Sequence, residues 1–394
     1  MTSRQPLRSM CSQMKATLIS ASKQIYDKYV RAVSRLSKSE QQKEIVYLMS
    51  FPNNDYGLIA ALSERYKVTV FYTKNCLPDV KRLQGLVAVT CLPLDGLSHL
   101  TRCIRQLKKV RVCVCDNYFA FLGDIDKSNG LRVIQIWHAT GAIKQFGYED
   151  LTAQKRSSKD RARFTRVYQA MDYIVVGSEA MADVFERSYG VAASQIWLTG
   201  FPRTDYLVNA MQTSVETDHE MSKRTIVYLP TYRENLSPTY PLDIQQLEQA
   251  LGDHYRLIIK EHPHSLWQTA ELYQSSFVTY ANASVSADDL VQQADVLLTD
   301  YSSVAFDYAL IKPHGRLVFY WYDEATYGQT TGLQPNIKAM LPPTVCHTTT
   351  DVIARILDEK TTDLTDFKQM WHTYNDGQAI ERLLDKITRE MGDA

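Results

Sequence analysis

Short, continuous apolar runs recur along almost the whole chain, and helical stretches separate them. The runs are "EIVYLMS" (44–50), "KVTVFYT" (67–73), "LVAVTCL" (86–92), "RVCVCD" (111–116), "LRVIQIW" (131–137), "DYIVVGS" (172–178) and "IWLTG" (196–200). After a polar segment at 207–224, helical or linker-like, come "TIVYLPTY" (225–232), "YRLIIKEHP" (255–263), "FVTYA" (277–281), "DVLLTD" (295–300) and "RLVFYWYD" (316–323). A strand buried on both faces reads as an unbroken apolar run rather than an alternating one. Interleaved with helical stretches such as 57–66, 98–109 and 179–189, such strands predict βαβ units and parallel sheets. Two α/β halves therefore meet near residue 210, and 394 residues exceed what one core usually serves. The expected division is a basic, helical segment 1–43, a Rossmann-like domain 44–210, a second one 211–348 and C-terminal helices 349–394. The last stretch shows helical apolar spacing at Val352, Ile353, Ile356, Leu357, Leu383, Leu384 and Ile387. No internal repeat or low-complexity tract interrupts the pattern.

Composition removes several classes. Hydrophobic residues make up 45%, charged residues 22%, and the formal net charge is zero, which fits neither a disordered chain nor a globally basic nucleic-acid binder. The seven cysteines (Cys11, Cys76, Cys91, Cys103, Cys113, Cys115, Cys346) form no Cys-x-x-Cys, and two sit inside an apolar strand. That usage predicts reduced core cysteines in a cytosolic compartment and no zinc site. No apolar run reaches about 18 residues, so no spanning helix is expected, and the N-terminus lacks a signal-peptide core. Charge is uneven locally. Residues 1–43 hold nine Lys or Arg against Asp27 and Glu40, and "QKRSSKDRARFTR" (154–166) holds six against one acid. A solvated helix face and contact with an anionic membrane surface both fit, the latter at roughly 1 kcal/mol per basic residue.

In open α/β sheets, ligands bind outside the carboxyl ends of the strands. Five strand ends carry unusual polar groups: His138-Ala139-Thr140-Gly141; Arg203 and Asp205; Thr231, Arg233 and Glu234; Lys260, Glu261, His262 and His264; and Asp300, Ser302, Ser303 and Asp307. Ser302 and Ser303 precede a helix, where unpaired N–H groups and a partial positive charge suit a phosphate. An ordinary N-cap is the competing reading. Asp307 is placed to accept a sugar hydroxyl or to face solvent. His138 and His262 fit packing residues singly, but a cleft between domains as a pair. A histidine near its ordinary pKa exchanges protons at cellular pH. Lys144, Lys260, Arg203 and Arg233 are candidate phosphate cations, and residues 139–141 are small enough for a ligand to approach the backbone closely. No Walker motif, G-x-S-x-G, H-E-x-x-H or metal-binding carboxylate cluster is present. The residues alone lead to a cleft suited to a nucleotide diphosphate.

The segments "IQIWHATGAIKQFG", "TGFPRTDYL", "YLPTYRE", "IIKEHPH" and "LLTDYSSVAFDYALIKP" together resemble the CDP-glycerol glycerophosphotransferase family of teichoic acid synthesis, in order and approximate spacing, over about residues 130–325. The resemblance implies a GT-B fold, two Rossmann-like domains facing a cleft, with an acceptor and membrane side in the first domain and CDP-glycerol bound by the second. It implies donor contacts at Trp137, His138, Ala139, Thr140, Gly141, Arg203, Pro230, Thr231, Lys260, Glu261, His262, Ser302, Ser303 and Asp307. The polymerase branch usually carries "WHGTP" and "RMHP". Here "WHATG" and "KEHP", with a short chain, look more like the primase branch, which adds the first glycerol phosphate to undecaprenyl-diphosphate-linked ManNAc-GlcNAc and releases CMP. The implied enzyme is a peripheral protein on the cytoplasmic face of the bacterial membrane, working without metal or cofactor, with other teichoic acid enzymes as further partners. His138 and His262 are the expected catalytic residues, His138 as general base and His262 to stabilise the diphosphate or assist CMP departure. Other readings are a polymerase, a CDP-ribitol transferase, a sugar-nucleotide glycosyltransferase of the same fold and an inactive scaffold in wall assembly.

Overall fold

The computed structural model describes residues 5–213, 223–233, 240–262, 272–282, 284–360 and 362–393. Two parallel sheets dominate it. The first contains β1 (Gln42–Met49), β2 (Lys67–Tyr72), β3 (Thr90–Pro93), β4 (Val110–Cys115), β5 (Arg132–Gln135), β6 (Tyr173–Val176) and β7 (Ile196–Leu198), in the order β3-β2-β1-β4-β5-β6-β7. The second contains β8 (Arg224–Leu229), β9 (Tyr255–Ile259), β10 (Val278–Tyr280), β11 (Val296–Thr299), β12 (Arg316–Tyr320) and β13 (Val345–Cys346), in the order β10-β9-β8-β11-β12-β13. Each half thus runs third-second-first-fourth-fifth-sixth, the Rossmann order, with a seventh strand added at the end of the first and the reversal between the first and fourth strands. The expected α/β fold of two Rossmann-like halves is what the chain adopts.

The apolar runs became strands because they are buried on both faces. Ile45 through Leu48 are fully buried, as are Val112 through Cys115. In the second sheet the alternation of side chains splits the core: Val227 and Leu297 join a core continuous with the first domain, while Ile226, Tyr228 and Leu298 pack into a separate cluster on the other face. The buried cysteines are free thiols in these layers.

Two boundaries differ from expectation. The run 86–92 forms a strand only from Thr90. Leu86 and Val87 close the preceding helix, their amides bonding the carbonyl of Leu83, and Leu86 is exposed. The two-residue β13 is too short to leave a periodic signal. The "PRTD" element after β7 is the first turn of the helix Pro202–Thr213, with proline where a first turn tolerates it.

The N-terminal helix Gln5–Leu36 lies against the helix Gly96–Leu107. Near the C-terminus, Thr349–Leu357 packs on the second domain, whereas Ala379–Met391 returns to the first, against β4 and the helix Pro202–Thr213. Among the described residues, no helix is long and apolar enough to cross a membrane.

Candidate active site

The first domain's wall is built around a strained residue. Just past β5, Trp137 takes a left-handed φ of 56°, a conformation that costs a bulky residue about 1–3 kcal/mol and persists only where its surroundings enforce it. They do: its N–H donates to Gln135 Oε1 at 2.9 Å and its carbonyl accepts from Asn54 Nδ2 at 2.8 Å. The turn lays the His138 ring between Phe51 (4.0 Å, 13°) and Trp137 (4.5 Å, 28°). His138 Nδ1 lies 3.1 Å from the Asp116 carbonyl. A carbonyl only accepts, so Nδ1 carries the hydrogen and Nε2 the lone pair. Burial, with smaller contributions from the charges of Arg203 and Lys144, lowers the His138 pKa to about 4.

Asp116 holds this wall together. Its buried carboxylate accepts from the Ser50 amide and hydroxyl and from the Phe51 amide, all within 2.9–3.1 Å. Burial pushes its pKa up to about 6 despite those bonds.

The second domain's wall centres on Asp300, fully buried at the end of β11. It accepts from the Thr231 amide (2.9 Å) and hydroxyl (3.0 Å), the Tyr301 amide (2.6 Å) and Arg233 (2.9 Å). Arg233 also reaches Asp323 at 2.7 Å and lies over the rings of Tyr301, Tyr322 and Tyr327. Its charge is held inside the domain.

Ser303 stands at the N-cap of the helix Val304–Ile311 but makes no capping hydrogen bond, and the Val304 amide reaches Ser302 Oγ at 3.3 Å. Both serines are half-buried, which leaves the helix N-terminus and the Ser303 hydroxyl suited to an anion. Pro230 is half-buried beside Thr231. Past β9, Lys260 donates to the Asn282 carbonyl at 3.1 Å, Glu261 accepts from Tyr240 at 2.6 Å, and the exposed His262 ring lies 5.6 Å from that of Tyr232. Glu234 and His264 lie outside the described residues.

The walls meet through the loop that carries His138. Thr140 Oγ1 donates to Asp307 Oδ1 at 2.7 Å across the domain boundary. A Cβ on Gly141 would stand 2.4 Å from the Phe306 ring, so only glycine lets the loop approach this helix. Arg203 binds Asp307 through NH1 (2.9 and 3.0 Å) and Asp288 through NH2 (2.8 Å), and Tyr56 donates to the same Asp288 at 2.9 Å. Arg203 and Asp307 are thus buried and turned toward each other. Ala139 and Lys144 are half-buried on the same loop, and the Lys144 segment pairs with Leu333. Among the described residues, the Lys144 ammonium forms no ion pair. Burial lowers its pKa, and Asp300 opposes that shift. Lys144, and Lys260 with its bond to a neutral carbonyl, are the candidate cations not held in an ion pair among the described residues.

A third histidine, the buried His372, shows what a purely structural one looks like. His372 Nε2 meets the Phe306 carbonyl at 2.9 Å and Nδ1 meets Asn375 Nδ2 at 2.8 Å, so both nitrogens are used. His138 keeps Nε2.

Sequence reasoning missed Ser50, Phe51, Asn54, Tyr56, Asp116 and Asp288. Ser50 and Asp116 close the runs 44–50 and 111–116, so the rule of inspecting strand ends, applied to every strand, reaches both of them and the adjoining Phe51. Asp288, in the first turn of the short helix Ala287–Gln293, leaves no such signal.

The chain is 31% identical over 355 residues to the teichoic acid glycerol-phosphate primase of Bacillus subtilis (strain 168), covering 88% of this chain and 92% of that one. It is 28% identical over 337 residues to the teichoic acid ribitol-phosphate primase of Bacillus spizizenii (strain ATCC 23059 / NRRL B-14472 / W23), covering 82% and 83%. The solved structure of the wall teichoic acid polymerase TagF superposes with a TM-score of 0.70 at 18% identity, covering 97% of this chain and 98% of that one, a likeness of fold. A family model, CDP-glycerol:poly(glycerophosphate) glycerophosphotransferase, matches residues 97–389, and the chain belongs to that family.

Proposed function

We propose that this glycerophosphotransferase is a primase: it moves glycerol phosphate from CDP-glycerol onto undecaprenyl-diphosphate-linked ManNAc-GlcNAc and releases CMP. The observation that carries this reading is the joint between the walls. Thr140 and Gly141 dock the His138 loop on the helix that Ser302 and Ser303 begin. A proton acceptor is thereby held beside an anion cradle.

In the proposed step, His138 Nε2 takes the proton of an acceptor hydroxyl. The oxygen forms a bond to the glycerol-bearing phosphorus, and the bond from that phosphorus to the bridging oxygen breaks, leaving the electron pair on CMP. Ser302, Ser303, the helix N-terminus, Lys144 and Lys260 bind phosphate oxygens, and His262 stabilises the diphosphate. Pro230, Thr231 and Glu261 line the second domain's side. Arg203 and Asp307 keep the walls in register. The free imidazole is a weak base, and the negative charge of a bound diphosphate raises its pKa when the donor arrives. Positioning and charge neutralisation are the main demands of such transfers.

The acceptor lipid requires a membrane. Arg163 and Arg166 are paired with Asp27, Arg31 and Arg166 with Asp124, and Lys23 with Asp160. Lys155, Arg156, Lys159 and Arg161 stay exposed with no ion pair among the described residues. These four are the proposed contact with anionic lipid headgroups on the cytoplasmic face.

The test presents the lipid-linked disaccharide in anionic and in neutral vesicles and follows CMP release and product mass. One added glycerol phosphate, faster on anionic vesicles and retained in EDTA, is expected. A ladder of additions makes the protein a polymerase. Preferential use of CDP-ribitol, favoured by the ribitol-phosphate primase relative, changes the donor. Absence of turnover refutes the reading.

A further inference from the structure

The candidate base His138 carries a phenylalanine ring stacked on one face. Phe51 is 39% exposed. It forms the outer end of a ladder of stacked rings that continues through His138 (4.0 Å), Trp137 (4.5 Å) and Phe146 (5.1 Å). The inner end is closed by Phe185 and Tyr189. At the outer end one face of Phe51 lies on the imidazole, and among the described residues no further ring meets it.

The loop is fixed, not draped. The Asp116 carboxylate, 0% exposed, accepts from the Phe51 and Ser50 amides. Asn54, three residues on, clamps the Trp137 carbonyl, and Asn53 takes a left-handed φ of 55° with its amide on Asp79 Oδ1 at 3.1 Å. A buried carboxylate and a strained backbone are together spent on holding one aromatic ring at the surface. Flat apolar rings with an open face, placed rigidly, suit the C–H face of a pyranose, with polar groups close by for its hydroxyls.

We infer that Phe51 is the platform of an acceptor-sugar subsite in the first domain, resting on the primase reading above. Phe51 stands between a sugar stacked on its open face and the imidazole. The stacked sugar is therefore not the reacting one, and the hydroxyl presented to His138 Nε2 belongs to the adjoining sugar, folded past the ring edge. The subsite thereby selects an acceptor of at least two sugars.

Steady-state kinetics of the full chain with CDP-glycerol and a short-chain lipid-linked ManNAc-GlcNAc decide the point. Phe51→Ala is expected to raise the acceptor KM about tenfold or more and to leave the donor KM within about twofold. Phe51→Tyr, which keeps the flat ring, is expected to restore the acceptor KM, and Phe51→Leu, a milder substitution for the packing, is expected to show the same KM rise. A fall in kcat or a displaced acid limb, with the acceptor KM unchanged, overturns the inference and makes Phe51 a packing partner of the imidazole. A wild-type chain that does not turn over this pair of substrates overturns the primase reading and the subsite with it.

Discussion

The two domains meet the same structural demand with the same residue and then diverge. In each, an aspartate directly after the fourth strand accepts the amide and the hydroxyl of the residue that leads out of the first strand's end: Asp116 with Ser50, Asp300 with Thr231. Each bond spans the sheet's reversal point, where a crevice opens. The difference is charge. Asp300 has Arg233 at 2.9 Å, and Arg233 is itself enclosed by Asp323 and three tyrosines. Asp116 has no cation paired with it among the described residues, and its neighbour His138 is held neutral. The second domain's wall thus carries fixed charges and a helix N-terminus, and the first a neutral imidazole among apolar rings. In the proposed reaction the former faces the phosphate donor and the latter the sugar acceptor.

The largest expected effect tests that division. His138→Ala should lower kcat by about 10²- to 10⁴-fold, the usual contribution of a general base, with the Kd for CDP-glycerol changed far less. Ser303→Ala should do the reverse, raising the donor Kd more than it lowers kcat. Stopped-flow kinetics and calorimetric donor titration separate the two. If both substitutions weaken donor binding alike, the walls do not divide the work.

The next effect is on stability. Arg233→Met leaves Asp300 and Asp323 as unpaired, largely buried charges, and breaking a buried pair in this way costs about 3–5 kcal/mol. Asp116→Asn keeps a carbonyl oxygen for the Ser50 or Phe51 amide and leaves no cation stranded, so about 1–2 kcal/mol is expected. Urea unfolding of both variants measures the gap. Equal losses would mean that charge does not distinguish the two aspartates.

Much of this was legible because buried parallel strands write themselves as apolar runs. Each of the twelve runs contains a strand, and the candidate residues His138, Thr231, Lys260 and Ser302 all stand just past one. Side-chain direction was not legible. Nothing in "GFPRTDYL" shows that Arg203 turns to Asp288 and Asp307 rather than to a phosphate, because its partners are 85 and 104 residues away. The same holds for the basic stretch 154–166, part of whose charge is spent on Asp27 and Asp124, carboxylates far off in sequence. The left-handed Trp137 is invisible for another reason: a bulky aromatic in that conformation is set by Gln135 and Asn54 against its own preference. Even the kinship of Asp116 and Asp300 escapes a search for repeats, since the residues that surround them share no motif.

The smallest effect reads the comparison through pH. The Asp116 carboxyl, with a pKa of about 6 against 3.8 in the unfolded chain, holds its proton in the folded state over that interval. Its stabilising contribution is therefore complete below about 3.8 and is lost as pH rises through 6. His138, at about 4 against 6.5, does the opposite: the unfolded chain takes the proton first, so its contribution is complete above 6.5 and is lost as pH falls through 4. Between about pH 4 and 6, the stability difference between wild type and Asp116→Asn should fall with rising pH, and that between wild type and His138→Gln should rise. Each slope is at most about 1.4 kcal/mol per pH unit. Urea midpoints at half-unit steps resolve the two signs. Opposite slopes mean that, over this pH interval, folding holds both groups uncharged against their ordinary tendency. Parallel slopes, or a flat line for Asp116→Asn, would mean that the Asp116 pKa is not raised by folding, and the contrast between the walls would lose its electrostatic basis.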